Sequence, residues 1–218
     1  MEKESQRYVE LEPVVISRYR IGKRVFDIFV SSILIVCLFP LFFITSILIV
    51  MSSGRPIFYL QERAGKDNHL FTIYKFRSMN STGHTPSKRE YDWKDGVPDN
   101  FTFKSGFDAK ITPIGKFLRK YSLDELPQLF NVLLGEMSIV GPRPEVIEVS
   151  THYNPQQARR LLVKPGITGY AQVNGRSEIN HGKKIEYDLY YIENQSFLFD
   201  MKIILATIKC VVKGKGAF

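Results

Sequence analysis

Two cysteines in 218 residues leave no disulfide framework, and Cys37 and Cys210 both lie in apolar runs without metal-ligand spacing around them. That usage fits a reducing compartment. Histidine is also scarce: His69, His84, His152 and His181 are dispersed, and none is assigned chemistry. The chain has no G-x-x-x-x-G-K-S/T phosphate loop and no G-x-G-x-x-G turn, so any nucleotide needs a different kind of pocket. No nucleic-acid motif appears, the basic residues are scattered rather than striped, and no nucleic acid is expected as a partner. No internal repeat is visible. Acidic residues are outnumbered, 22 against 30 Lys and Arg, for a net charge of +8. That excess suits phosphorylated substrates or an acidic membrane surface.

What the chain does have is a long uncharged run from Ile28 to Met51. As a straight helix it would reach about 36 Å, enough to cross a roughly 30 Å hydrocarbon core. It starts too far from Met1 for a signal peptide and no small-residue cleavage site follows it. Pro40 falls in its middle, where a lost donor and a steric clash predict a kink or break. The freed carbonyl near residue 36 needs a partner, for which Ser32 is a candidate. Arg18, Arg20, Lys23 and Arg24 precede the run and Arg55, Arg63 and Lys66 follow it. Positive flanks stay on the cytoplasmic side, so positive charge at both ends favours a re-entrant helix over a kinked single span with the N-terminus outside.

The remainder reads as mixed helix and strand. Residues 56–63 and 70–77 predict a short hairpin with a turn at 64–69. The polar stretch 80–108 predicts a long loop. Thr112-Pro113 predicts a helix start, with a short helix over 114–120. Phe197 to Lys213 carries apolar residues at helical spacing, which suits either a membrane-interface helix or a core helix. The expected organisation is an N-terminal extension (1–20), a membrane segment (21–55) and a catalytic domain (56–218).

The candidate site residues cluster around Ser122 to Glu145. Asp124 and Glu125 stand just before Pro127, which is tolerated only in a first helical turn, so a helix is predicted to begin near Asp124. Carboxylates cap helices, and the same dipole end keeps a carboxylate ionised, able to attack or to hold a metal. Gly141-Pro142-Arg143-Pro144 restricts where Arg143 can point, and arginine pairs bidentately with phosphate oxygens. Lys75 and Arg77 share one strand face by alternation and could meet a diphosphate or lipid headgroups, or simply solvent. Arg119, with Lys120, precedes the acidic pair. The glycine-rich stretch from Lys164 to Arg176 allows close backbone approach to a ligand.

Together these motifs resemble the bacterial sugar transferase family, the monotopic polyprenyl-phosphate phosphoglycosyl transferases. The resemblance runs from Ile21 to Ala206. It rests on Lys23-Arg24-x-Phe26-Asp27, Gln61-Glu62-Arg63, the run Tyr74 to Met79, the run Ser122 to Leu133, the run Ser138 to Pro144 and Pro165 to Gly169. The resemblance implies an α+β fold: a mostly helical cytoplasmic domain with a short β-hairpin, anchored by a proline-broken re-entrant helix and interfacial amphipathic helices. It implies location at the bacterial inner membrane with the catalytic domain on the cytoplasmic face. It also implies transfer of a sugar phosphate from a UDP-sugar to undecaprenyl phosphate, releasing UMP, with Asp124 as nucleophile and Glu125 holding Mg²⁺. Lys75, Arg77, Arg119 and Arg143 are then the substrate-binding residues. Membrane lipids are expected partners and a homo-oligomer is left open. One departure is visible: some members carry a serine before the central proline, where this chain has Phe39. Two rival readings stand beside this one: a membrane-surface hydrolase of nucleotide diphosphates using the same aspartate, and a membrane-anchored scaffold whose acidic pair is only a cap.

Overall fold

The computed structural model describes residues 18–80, 91–102, 111–175 and 178–213. The N-terminal extension up to residue 17, residues 81–90 and 103–108 of the expected loop, and Arg176 lie outside the described residues. Among the described residues the chain is mostly helical, with two short sheets. The long helix α1 is Arg18–Ser53. A hairpin follows, β1 (Phe58–Ala64) antiparallel to β2 (Leu70–Phe76), in the register Tyr59 opposite Lys75 and Ala64 opposite Leu70. Helix α2 (Pro113–Lys120) is capped as expected, Gly115 N donating to Thr112 Oγ1 at 2.9 Å. Next come α3 (Gln128–Leu134) and β3 (Ser138–Val140). The short helices α4 (Ile147–Ser150) and α5 (Pro155–Ala158) lead to β4 (Gly166–Thr168). Then come α6 (Tyr170–Val173), α7 (His181–Glu193) and α8 (Phe197–Lys213).

The sequence pattern did not reveal the second sheet, in which β3 and β4 run parallel with Ser138 opposite Gly166. This crossing corrects the reading of the glycine-rich stretch. A Cβ on Gly166 or Gly169 would strike the backbone of Gly141, and one on Gly141 would strike the carbonyl of Lys164. The close approach these glycines permit is therefore to another stretch of backbone. It draws the Gly-Pro-Arg-Pro turn onto the β4 segment, with Gly141 N donating to Thr168 O and Gly166 N to Pro142 O, both at 2.8 Å.

Helix α1 is long and apolar enough to cross a membrane. The expected break at Pro40 does not interrupt it: Pro40 lies inside a helix assigned continuously from Arg18 to Ser53. A proline removes one donor and crowds the preceding turn, a local defect that flanking turns can bridge. Ser31 and Ser46 turn back onto the helix, donating to the carbonyls of Asp27 (2.6 Å) and Phe42 (2.7 Å), whereas Ser32 makes no such bond among the described residues.

Both ends of α1 dock on the rest of the protein. At the first end, Asp27 Oδ1 accepts from Ile139 N (3.0 Å) and Ser138 Oγ (3.1 Å). Arg24 donates to the last carbonyls of α3, Val132 (2.6 Å) and Leu133 (2.9 Å), supplying partners that a helix C-terminus lacks. Lys23 pairs with Asp200 of α8 at 2.6 Å. Val30, Leu34 and Ile35 pack on a core of Phe71, Ile73, Leu129, Val132, Met137, Ile139 and Val140. At the other end Ile49 is fully buried with Phe76 and Leu118, and the Phe42 ring meets those of Phe76 and Phe130. Between these contacts α1 exposes Val36, Phe39 and Phe43. Helix α8 takes the bounds its pattern predicts and divides its apolar surface. Ile203 is buried, while Leu198, Leu205, Ile208 and Val212 stay exposed.

Candidate active site

The hairpin delivers Lys75. Phe71 and Ile73 occupy the same strand face and are buried, so Lys75 continues an inward face rather than a solvent one. The strand is fixed edgewise by Asn131 of α3, which is fully buried. Its Nδ2 donates to Thr72 O (2.7 Å) and its Oδ1 accepts from Tyr74 N (3.1 Å). Asn131 sits within the Ser122–Leu133 motif but carried no separate sequence signal.

The acidic pair is presented differently from expectation. No α-helix begins at Asp124. Leu123–Glu125 is a single 3₁₀ turn entered through Ser122 in the left-handed conformation (φ 54°), and α3 starts only at Gln128. Asp124 does not cap a helix among the described residues. Glu125 instead is the centre of an ion cluster. Its Oε1 accepts from Lys75 Nζ (2.8 Å) and Arg143 Nη2 (2.6 Å), and its Oε2 from Arg143 Nη1 (3.2 Å). Glu125 and Lys75 are largely buried, whereas Arg143 is half exposed.

The two carboxylates are pushed apart electrostatically. Burial raises Glu125, but Arg143 and Lys75 outweigh it and hold this carboxyl well below its usual range. Burial and the neighbouring Glu125 charge raise Asp124, against the downward pull of Lys75, Arg119 and Arg143. The expectation that a helix terminus keeps Asp124 acidic is thus corrected: neighbouring cations, not a dipole, oppose its protonation. Arg119 is at the end of α2, its Nη2 3.5 Å from the Met79 sulfur.

Arg143 is held by the clamping of its turn. Arg160 Nη2 donates to the Arg143 carbonyl at 3.0 Å, and Arg63 Nη1 donates to that of Pro144 at 3.4 Å. Arg160 is itself buried between Glu145 Oε2 (3.0 Å) and Asp188 Oδ2 (2.7 Å). Sequence reasoning missed Arg160, which reads as one of two adjacent arginines. Only Arg63 had a signal, its place in the Gln-Glu-Arg motif.

The structure does not bring Arg77 to the carboxylates. Strand β2 ends at Phe76, and the Arg77 guanidinium donates to the carbonyls of Ser53 and Gly54 and to Ser53 Oγ (3.0 Å). It closes the C-terminal end of α1, a place that favours a cation. Lys75 and Arg143 do converge on Glu125, and both, with Arg119, act on the charge of Asp124.

Among the described residues, no three His, Cys, Asp or Glu side chains gather as a metal cage. Magnesium seldom requires one, because it binds through one or two carboxylates and substrate phosphates. Both Glu125 oxygens are held by Lys75 and Arg143, so a metal bound there would take the place of one of these contacts.

Comparison with known proteins adds a second line. The model of the bacterial sugar transferase family matches residues 18–214. The uncharacterized sugar transferase EpsL of Bacillus subtilis is 40% identical over 194 residues, covering 89% of each chain. The undecaprenyl-phosphate galactose phosphotransferase of Salmonella typhimurium is 37% identical over 207 residues, 91% of this chain and 42% of that one. The UDP-glucose:undecaprenyl-phosphate glucose-1-phosphate transferase of Klebsiella pneumoniae is 40% identical over 85% of this chain and 39% of its own length. With a match of this extent and identity of this degree across nearly all of both chains, the chain belongs to the bacterial sugar transferase family.

Proposed function

We propose that this chain transfers a sugar phosphate from a UDP-sugar to undecaprenyl phosphate at the cytoplasmic face of a bacterial inner membrane, as an initiating step of polysaccharide assembly. The observation that carries the reading is the convergence of Lys75 and Arg143 on Glu125, beside Asp124. An Asp124 oxygen attacks the β-phosphorus of the donor, and the bond to the UMP oxygen breaks with its electron pair leaving on UMP. The acceptor's phosphate oxygen then attacks the same phosphorus and the Asp124 carboxylate departs. A covalent intermediate lets a soluble donor and a lipid acceptor use one site in turn. Lys75, Arg119 and Arg143 offset the phosphate charge. Glu125, with diphosphate oxygens, would hold Mg²⁺, which neutralises charge on the leaving group. Arg77 has no place in this set; it secures α1.

The docking of both ends of α1 on one body supports the re-entrant reading, because each end then returns to the same side of the bilayer. The exposed residues Leu198, Leu205, Ile208 and Val212 of α8 suit the membrane interface beside it. With Cys37 and Cys210 replaced, a cysteine placed at residue 10 should resist an impermeant maleimide in intact cells and react once the membrane is permeabilised. Labelling from outside would establish a span instead.

The assay is purified protein with a panel of UDP-sugars. UMP release that requires undecaprenyl phosphate is the expected result. Release without lipid would indicate a hydrolase, and no release with any donor or metal a scaffold. Glu125→Gln should retain weak activity with a raised Mg²⁺ requirement; an unchanged metal titration would remove Glu125 as a ligand.

A further inference from the structure

A cavity of about 140 Å³ lies at the first end of α1, away from the reacting carboxylates. It has about ten times the room that admits one water. Its lining includes the cations Arg20, Lys23, Arg24, Lys66 and Lys164, and none of Lys75, Arg119, Asp124, Glu125 or Arg143. Lys23 is committed to Asp200 at 2.6 Å and Arg24 to the Val132 and Leu133 carbonyls, and Lys66 stands 3.2 Å from the exposed Asp67. Arg20 and Lys164 have no hydrogen bond or ion pair among the described residues. The one carboxylate in the lining, Asp27, is buried and accepts from Ile139 N and Ser138 Oγ. The cationic heads converge: a methyl group on Gly135 would lie 3.2 Å from Arg24 Nη2 and 3.6 Å from Lys164 Nζ. Such crowding of like charge is unfavourable unless an anion joins it. Burial and the nearby Arg24 and Lys66 lower Lys164, against the upward pull of Asp27. On the neighbouring face of α1, Ile21, Val25 and Phe29 are exposed at helical spacing.

We propose that this cavity binds the anionic phosphate headgroup of a membrane lipid, seated against Arg20 and Lys164 with Arg24 beside them, the hydrocarbon chain lying along Ile21, Val25 and Phe29. The proposal rests on the membrane placement of α1 given above. Two lipids offer this chemistry, an acidic phospholipid with its phosphodiester and a polyprenyl carrier with its phosphomonoester. The site would hold the protein at headgroup depth, separately from the reacting centre.

The test uses the full chain and two double variants, Arg20→Gln/Lys164→Gln and, as a control for bulk charge, Lys202→Gln/Lys209→Gln on α8. Each is reconstituted with phosphatidylcholine alone, with added phosphatidylglycerol, or with added undecaprenyl phosphate. Retained lipid is read by native mass spectrometry. Wild type and the α8 variant should keep one anionic lipid in preference to zwitterionic phosphatidylcholine. The cavity variant should lose that preference by about thirtyfold, from roughly 1 kcal/mol per basic residue. Whichever added lipid is retained identifies the source. Equal loss in both variants, or no loss in the cavity variant, overturns the site, as does displacement of every lipid by inorganic phosphate alone. Failure of wild type to float with any vesicle overturns the membrane placement rather than the site.

Discussion

Asp124→Asn is expected to reduce UMP release by about ten-thousandfold or more, the scale seen when a nucleophile is removed. The variant should still fold and bind membrane. The Asp124 side chain accepts no hydrogen bond among the described residues, and losing its charge relieves repulsion from Glu125. Near-normal turnover would eliminate Asp124 as the nucleophile. On the proposed mechanism the same residue should govern the acid limb of kcat/KM. Burial and Glu125 raise Asp124 above its ordinary 3.8, and only the ionised form attacks. The rate should therefore fall, as pH decreases, at a higher pH than an ordinary aspartate would give. Arg119→Gln removes a charge that lowers Asp124 and should move the limb higher still. A limb that stays put in Arg119→Gln would remove Arg119 from contact with the nucleophile's charge.

Arg160→Met is expected to produce the largest loss of stability. It leaves Glu145 and Asp188 buried without their cation, and the cost of breaking a buried pair is about 3–5 kcal/mol. At roughly 2–4 °C per kcal/mol for a chain of this size, the midpoint of thermal unfolding should fall by about 6–20 °C. The substitution also removes the donor to the Arg143 carbonyl. Arg143 then loses its placement, and turnover should fall even at temperatures where the variant stays folded. Arg160→Lys should recover part of the stability, since it restores charge, but less of the activity, since one ammonium cannot copy a planar fork. Wild-type melting in Arg160→Met would show that the clamp is not structural.

The parts legible in the sequence are those with a strong local signal. The long uncharged run of α1, the hairpin and the apolar spacing of α8 each rest on composition, periodicity or a turn residue, whereas the break expected at Pro40 does not interrupt the helix. Asp124, Glu125 and Arg143 were legible because short motifs mark them. What failed did so for lack of such a signal. Strands β3 and β4 are three residues long, too short for alternation to register. Helix α7 buries Asp188 and His181 as well as Ile185 and Leu189, which blurs its apolar stripe. Arg77 looked like Lys75 because alternation was extended one residue past the end of β2, where the chain turns back to α1. Arg160 and Asn131 act through long-range bonds to carbonyls and strand edges, and nothing in their neighbours announces those partners.

The most direct measurement is intact-protein and peptide mass spectrometry after incubation with a UDP-sugar and Mg²⁺ in the absence of undecaprenyl phosphate, with UMP quantified in the same sample. The account predicts one sugar phosphate per chain attached at Asp124, matched by one equivalent of UMP, and loss of the adduct when undecaprenyl phosphate is added. UMP appearing only with the lipid present, and no adduct at any time, would contradict it.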